Sequence, residues 1–287
     1  METETKKAEI EFVKDSFSDY LGNKERISAS DIKNFLRSPR YYQFKRFEEE
    51  RKEEERYFAV GRAVHEAILE PQEFHNNYIV SPKFDRRTTQ GKKDAEEFAS
   101  NSMGKTIISE DEMVLVTKIT EKAHQHQTLM ELLKDSYREL SVYTQDEKTG
   151  LLLKLRPDAI STNKSTITDL KTCNDSSARS FKRDVYNHGY SVSASFYMDF
   201  IGRDNYIFAA LDKEAPHQVS LYYLNDEMIA YGREQYRMAL DLIKFCKDNN
   251  YYPDYSEFEI LKEAYKLDSL DTFFDTLSKS DKIILLQ

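Results

Sequence analysis

The sequence predicts an α/β or α+β domain in which helices bracket a mixed central β-sheet around one core. Three observations carry that prediction. Helical spacing dominates up to residue 134, strand-like and aromatic-rich runs occupy much of residues 139–224, and one long helical pattern follows. At 287 residues, 39% hydrophobic and 13% aromatic, the chain can bury a substantial core and is too apolar to be disordered throughout. No repeat, low-complexity tract or linker divides it, and no apolar run approaches the roughly 20 residues that span a bilayer.

Taken in order, residues 1–26 are polar and mixed in charge, with one weakly amphipathic patch at Ile10, Phe12, Val13 and Phe17, and read as a loosely held arm. Ser30 precedes Asp31, Ile32, Phe35 and Leu36, with Pro39 beyond, which predicts an N-capped helical N-terminal part stopped by the proline. The mixed-charge run Glu48 to Arg56 reads as a solvated segment or helix start. Phe58, Val64, Ile68 and Leu69, before Pro71, predict a helix whose buried face includes Gly61 and Ala67. One long helix is expected from about Glu110 to Lys134.

Glu139 to Thr144 and Leu151 to Arg156, around a turn at Asp146 to Gly150, read as a hairpin, with a third strand at Thr166 to Thr172. Helices at Ser176 to Tyr186 and Val192 to Phe200, strands at Tyr206 to Leu211 and Val219 to Leu224, and a helix at Asp226 to Asp248 complete the pattern. From Asp254 to Asp275 seven acids face two lysines, which suggests a surface or subunit-contact region. The organisation expected is an arm (1–26), a core domain (27–255) and an acidic extension (256–287).

Fifty-one acids against 42 bases give a net charge of -9, which excludes a wholly basic nucleic-acid coat. Cys173 and Cys246 lie far apart without a CxxC partner, so a disulfide framework and a thiolate metal site are not supported and a reducing compartment fits. The opening METETKKAEIEF has no signal-peptide core, so cytoplasmic residence without membrane attachment is expected. Gly104-Lys105-Thr106 resembles the end of a P-loop, but Ala99 stands where the earlier glycine is needed. His124 and His126, two apart on a helix, are poorly spaced for a shared metal, and no nucleophile elbow occurs.

Chemistry concentrates in Arg156-Pro157-Asp158 and Asp169-Leu170-Lys171. On a strand, the period of two projects Asp169 and Lys171 from one face and keeps the Leu170 carbonyl near them. If the strands pair, Asp158 meets Asp169. Adjacent carboxylates repel unless one is protonated or a cation intervenes, and hard oxygen ligands suit Mg²⁺ or Mn²⁺. Such an ion would neutralise a scissile phosphate, while Lys171 orients or helps deprotonate the attacking water. By spacing alone, a capping aspartate and an exposed strand pair are the better account, because so short a pattern recurs by chance.

Wider motifs narrow the choice. The order Gly61-Arg-Ala-Val-His65, Glu139 entering a strand, Arg156-Pro-Asp158, Asp169-Leu-Lys171-Thr172 and Tyr190 with Tyr197 resembles the PD-(D/E)XK nuclease superfamily. Within it, Leu69-Glu-Pro-Gln-Glu-Phe74, Phe84-Asp-Arg-Arg-Thr88 and Gly91-Lys92 look most like the RecE-type phage exonuclease (exodeoxyribonuclease VIII-like) domain, from about Ile27 to Tyr255. The resemblance implies a restriction-endonuclease-like fold. It further implies a metal-dependent 5′-to-3′ exonuclease that degrades one strand from double-stranded DNA ends, leaving 3′ single strands for recombination. His65, Asp158, Asp169 and the Leu170 carbonyl would hold Mg²⁺ (or Mn²⁺), Glu139 would act at or near it, and Lys171 would serve the water. A homo-oligomeric ring around DNA and a single-strand annealing recombinase as partner are also implied.

The family commonly has glutamine where Ser193 stands, and a serine hydroxyl offers one donor in place of two. Ser193 and Tyr197 are candidate substrate contacts. The stretch Lys83 to Lys93 carries a balance of +4 and offers Arg86, Arg87 and Lys92 to backbone phosphates. Lys182 and Arg183 form a second, weaker candidate pair. A nuclease-fold DNA- or partner-binding protein with little cleavage, and a structure-specific endonuclease, remain as alternative readings.

Overall fold

A computed structural model describes residues 9–49 and 56–279. Its first half runs β1 (Glu11–Val13), α1 (Phe17–Gly22), α2 (Ala29–Arg37), α3 (Pro39–Gln43), α4 (Arg56–Leu69), α5 (Pro71–Asn77), β2 (Tyr78–Ser81), α6 (Thr89–Asn101), β3 (Thr106–Ser109), α7 (Glu110–Gln125) and α8 (Gln127–Lys134). The second half holds β4 (Ser136–Arg138), β5 (Ser141–Gln145), β6 (Leu152–Leu155), β7 (Ala159–Ser161), β8 (Thr166–Cys173), α9 (Ala178–Asn187), α10 (Tyr190–Ile201), β9 (Asn205–Asp212), β10 (Val219–Tyr223), α11 (Asp226–Asp248), α12 (Tyr255–Lys266) and α13 (Phe273–Lys279).

Among the described residues a five-stranded sheet has the order β10-β9-β8-β7-β4 and is mixed, since β8 and β9 run parallel while the other pairs are antiparallel. Alternation along its strands feeds two cores. Leu170, Ala209 and Leu211 join Val60, Ala63 and Val64 of α4 and Val116 and Ile119 of α7. Ile167, Tyr206 and Phe208 join Phe35 of α2, Phe181 of α9, Phe196 of α10 and Leu240 of α11. Each fully buried aromatic or branched side chain here contributes about 1.5–3 kcal/mol by leaving water. The mixed sheet between helical layers is the architecture expected from the sequence.

Several local expectations are corrected. The β5–β6 hairpin pairs with β1 in a separate three-stranded sheet and does not enter the central one. Residues 9–26 are therefore not a loose arm. Lys154 of β6 is buried, and its ammonium donates to the carbonyls of Tyr20 and Asn23 at 2.8 Å each, so docking α1 satisfies a charge that burial would otherwise penalise.

Ser28, not Ser30, caps α2, in a reciprocal capping box with Asp31. The single helix expected over residues 110–134 is broken at His126, whose Nδ1 accepts from the Leu129 N–H at 3.2 Å and caps α8. The acidic stretch after residue 255 is no detached extension: Phe258, Leu261 and Ala264 of α12 and Phe273 enter the core. Of the charged run Glu48 to Arg56, residues 50–55 lie outside the described part.

Candidate active site

Two chain segments bend from one sheet into the other at the same place. The strand β4 leads through Glu139 into β5, and β6 leads through Arg156-Pro157-Asp158 into β7. Pro157 has no N–H to offer a ladder. Glu139 takes a left-handed backbone (φ 52), uncommon for a residue with a side chain and frequent at functional sites. Its N–H donates to the Asp158 carbonyl at 3.1 Å, which pins the two bends together.

Strand β8 outruns its neighbour. The β7 ladder reaches only Thr168, opposite Ala159, while β8 continues to Cys173. At Leu170 the N–H that would meet a longer β7 instead donates to Asp158 Oδ2 at 2.6 Å. The Leu170 carbonyl faces the same side of the strand as its N–H. On the face of β8 that holds the second core, Asp169 ion-pairs with Lys171. Lys171 Nζ also donates to the Leu170 carbonyl at 3.3 Å and sits 5.3 Å from the Tyr190 ring centroid. Tyr206 Oη donates to Asp169 Oδ1 at 3.0 Å.

His65 arrives from the opposite face. Helix α4 can press on β8 because position 61 is glycine: a Cβ there would stand 3.1 Å from Thr172 Oγ1. One turn later His65 Nδ1 lies 3.4 Å from Asp158 Oδ2. Arg156 closes the other flank, donating from Nε to Glu139 Oε2 at 3.0 Å and from Nη1 to Asp15 Oδ1 at 3.0 Å. A cavity of about 760 Å³ opens here, walled by His65, Glu139, Arg156, Asp158, Tyr197 and Arg62 among others. Asp169, only 5% exposed, is not on its wall.

These charges perturb one another. Burial raises the Asp158 carboxyl, the negative charge of Asp169 raises it further, and His65 and Lys171 only partly offset this. Glu139 is pushed up to about 7 by burial first and the Asp158 charge second, against the pull of Arg156. Burial alone would lower Lys171, yet Asp169 and Asp158 outweigh it and hold the ammonium firmly charged.

The donor set suits a hard divalent cation better than a soft one: carboxylates, one imidazole and a main-chain carbonyl, with no thiolate. Asp169 Oδ2 is buried, meets the Lys171 ammonium and receives no directional hydrogen bond. After burial, the charge of Asp169 raises Asp158 and that of Asp158 raises Glu139, a repulsion that a bound cation would relieve. Even so, among the described residues no three His, Cys, Asp or Glu side chains already close into a ligand cage. Asp169 is drawn aside by Lys171 and Tyr206.

Of the predicted site residues, the structure brings together His65, Glu139, Asp158, Asp169, Leu170 and Lys171. Tyr197 lines the cavity, and Ser193 shares the α10 face that runs from Tyr190 to Tyr197. Arg86, Arg87 and Lys92 are exposed elsewhere. Tyr78, at one end of β2, lines the site cavity, whereas Ser81, at the other end, lines a separate cavity with Arg86. Arg87 spends its guanidinium on Asp85, at 2.8 and 3.0 Å. Sequence reasoning passed over Tyr206 and gave Tyr190 and Arg156 no role beside their motifs. An aromatic at the head of the strand after the Asp-x-Lys strand was a usable signal for Tyr206, and none existed for Asp15.

A family model described as a PDDEXK-like domain of unknown function (DUF3799) matches residues 28–263. No curated protein sequence matches. Among solved structures, a "putative exonuclease" from Eubacterium rectale superposes with a TM-score of 0.61 at 16% identity, covering 83% of this chain and 88% of that one. That likeness shows the fold. An alkaline exonuclease from Laribacter hongkongensis (TM-score 0.31, 11% identity, 81% of this chain and 97% of that one) and a phage-related exonuclease from Haemophilus somnus (0.31, 12%, 65% and 94%) fall too low to carry an argument. Among the described residues no helix is long and apolar enough to cross a membrane.

Proposed function

The chain belongs to the PDDEXK-like DUF3799 family, and from that premise we propose that it is a metal-dependent DNA exonuclease that degrades one strand of a duplex from its end, 5′ to 3′. PD-(D/E)XK nucleases generally use divalent metals. The observation that carries the reading is the place where β8 outruns β7, with Asp158 on the Leu170 N–H and Asp169 on Lys171.

In this reading His65, Asp158, Asp169 and the Leu170 carbonyl hold the cation, with Mg²⁺ or Mn²⁺ suited to the donors. When bound, the ion supplies positive charge beside the scissile phosphate and lowers the pKa of a water. Lys171, held charged by Asp169 and Asp158, orients the attacking water and neutralises a phosphate oxygen. Glu139, titrating near neutrality, can accept a proton at the cavity wall. Tyr206 and Arg156 fix the orientations of Asp169 and Glu139. Tyr197 and Ser193 lie where they can position the strand. The ring assembly and the annealing partner rest on the sequence resemblance alone.

The test is to incubate linear and closed-circular duplex with Mg²⁺ or Mn²⁺, using wild type, Asp169→Ala and Lys171→Ala. Progressive loss of linear DNA from its 5′ ends, intact circles, and a fall of about 10²–10⁴-fold in either variant are expected. Cut circles would replace this reading with an endonuclease. DNA binding without metal-dependent products would replace it with a binding module.

A further inference from the structure

A second cavity, of about 660 Å³, lies between the end of α2, the α9–α10 junction and the start of α11, and its volume is within the range of small-ligand sites. Lys33, Arg37, Tyr186, His188 and Tyr231 are on its wall, together with the acid Glu227. Lys33 is half-buried, and among the described residues no hydrogen bond or ion pair reaches its ammonium. Burial, and then the positive charge of Lys171, push it down to about 8, a penalty that a bound anion would relieve.

The cavity and the carboxylate site share a wall. The Lys33 stem crosses Gly189, where an added Cβ would stand 3.2 Å from Lys33 Cδ, and Gly189 also takes the left-handed backbone (φ 60) that glycine permits. The next residue, Tyr190, holds its ring against Lys171. The rim is aromatic and solvated, with Tyr186 77% and Tyr231 48% exposed. Leading up to it along α9, the exposed Arg179, Lys182 and Arg183 stand seven, four and three residues before Tyr186, spacings that place them on one helix face.

We propose that this cavity seats one nucleotide of a single DNA strand at the approach to the carboxylate site, with Lys33 on its phosphate, Tyr186 stacked on its base, and the cations of α9 along the neighbouring phosphates. The choice of ligand rests on the nuclease reading. Cations beside exposed aromatic faces are the chemistry by which single strands are held without sequence preference. A base paired in a duplex cannot enter such a cavity without leaving its stack.

The chain has no tryptophan, so Tyr186→Trp places one reporter on the rim. Titration with a single-stranded deoxyoligonucleotide in the presence of a chelator, where nothing is cut, quenches that emission if a base stacks there. In the same background Lys33→Gln weakens binding by about tenfold, the worth of a hydrogen bond to a charged group, and Lys33→Arg retains it. Arg183→Ala, on the exposed face, weakens binding about twofold to fivefold and makes it less salt-dependent, and it carries the test should Lys33→Gln fail to fold. Blunt duplex of equal length quenches far less. Emission unchanged by the oligonucleotide, or equal affinities in the parent and both charge-removing variants, would overturn the proposal. Because these arms need no divalent ion, absence of cleavage in the linear-duplex assay would refute the nuclease reading while leaving the binding result standing.

Discussion

The β8 edge and the loop between β2 and α6 carry similar charges and use them differently. In the loop, Lys83, Arg86 and Arg87 stand in water, Arg87 is 90% exposed along its side chain, and it pairs with its sequence neighbour Asp85. Screening makes such pairs worth little. At the β8 edge Asp158, Asp169 and Lys171 are gathered from segments that burial forces together, and the charge of Asp169 raises both the Asp158 carboxyl and the Lys171 ammonium. Charge becomes chemistry where desolvation raises the stakes of every partner, and elsewhere it supplies only a diffuse field.

The largest effect that can break this comparison is on stability. Glu139 rises from 4.5 to about 7 on folding, so between those values the folded chain binds more protons than the unfolded one. The sign follows: metal-free protein is most stable with Glu139 protonated and loses up to about 3 kcal/mol as pH climbs through that window. Asp158, also raised, tilts the curve the same way. Urea unfolding in chelator from pH 4.5 to 8 should show the decline, and Glu139→Gln should flatten it. An unchanged slope in that variant would place the titration elsewhere.

Next in size is the removal of one hydrogen bond. Tyr206→Phe deletes the donor that holds Asp169 and is expected to weaken divalent-ion affinity by roughly 10–100-fold, the usual cost of losing an outer partner of a ligand. Calorimetric titration checks it, and an affinity within twofold of wild type would mean that Lys171 alone positions Asp169. The smallest effect belongs to the loop. Arg86→Ala with Lys92→Ala should lower DNA affinity only a few-fold, reduce the log–log salt slope by about 1–2, and leave the maximal cleavage rate unaltered. A large fall in that rate would show that the loop reaches the chemistry.

Legibility followed the same division. Asp169 and Lys171 could be placed on one face from the period of two, because β8 is long, buried and regular. The long helix over residues 226–248 was readable to its ends, because Asn225 caps a sustained apolar stripe. What stayed hidden depends on topology: Tyr206 lies 37 residues from Asp169, and Asp15 lies 141 residues from Arg156. Local spacing says nothing of such partners. The docking of α1 was equally hidden, since it follows from a lysine buried more than a hundred residues away. The break at His126 was missed because apolar spacing continues on both sides of it. The tail was misread for another reason: Phe258, Leu261 and Ala264 do carry a helical stripe, which the count of acids obscured.

Asp158 and Asp169, with His65, are proposed to hold a divalent cation at the β8 edge. Titrating chelator-treated protein with Mn²⁺ while following its electron paramagnetic signal tests this most directly. Saturable binding at pH 7.5 is expected, lost in Asp169→Ala and weaker at lower pH as the carboxyls protonate. Binding of equal affinity in wild type and Asp169→Ala, or none in either, would contradict it.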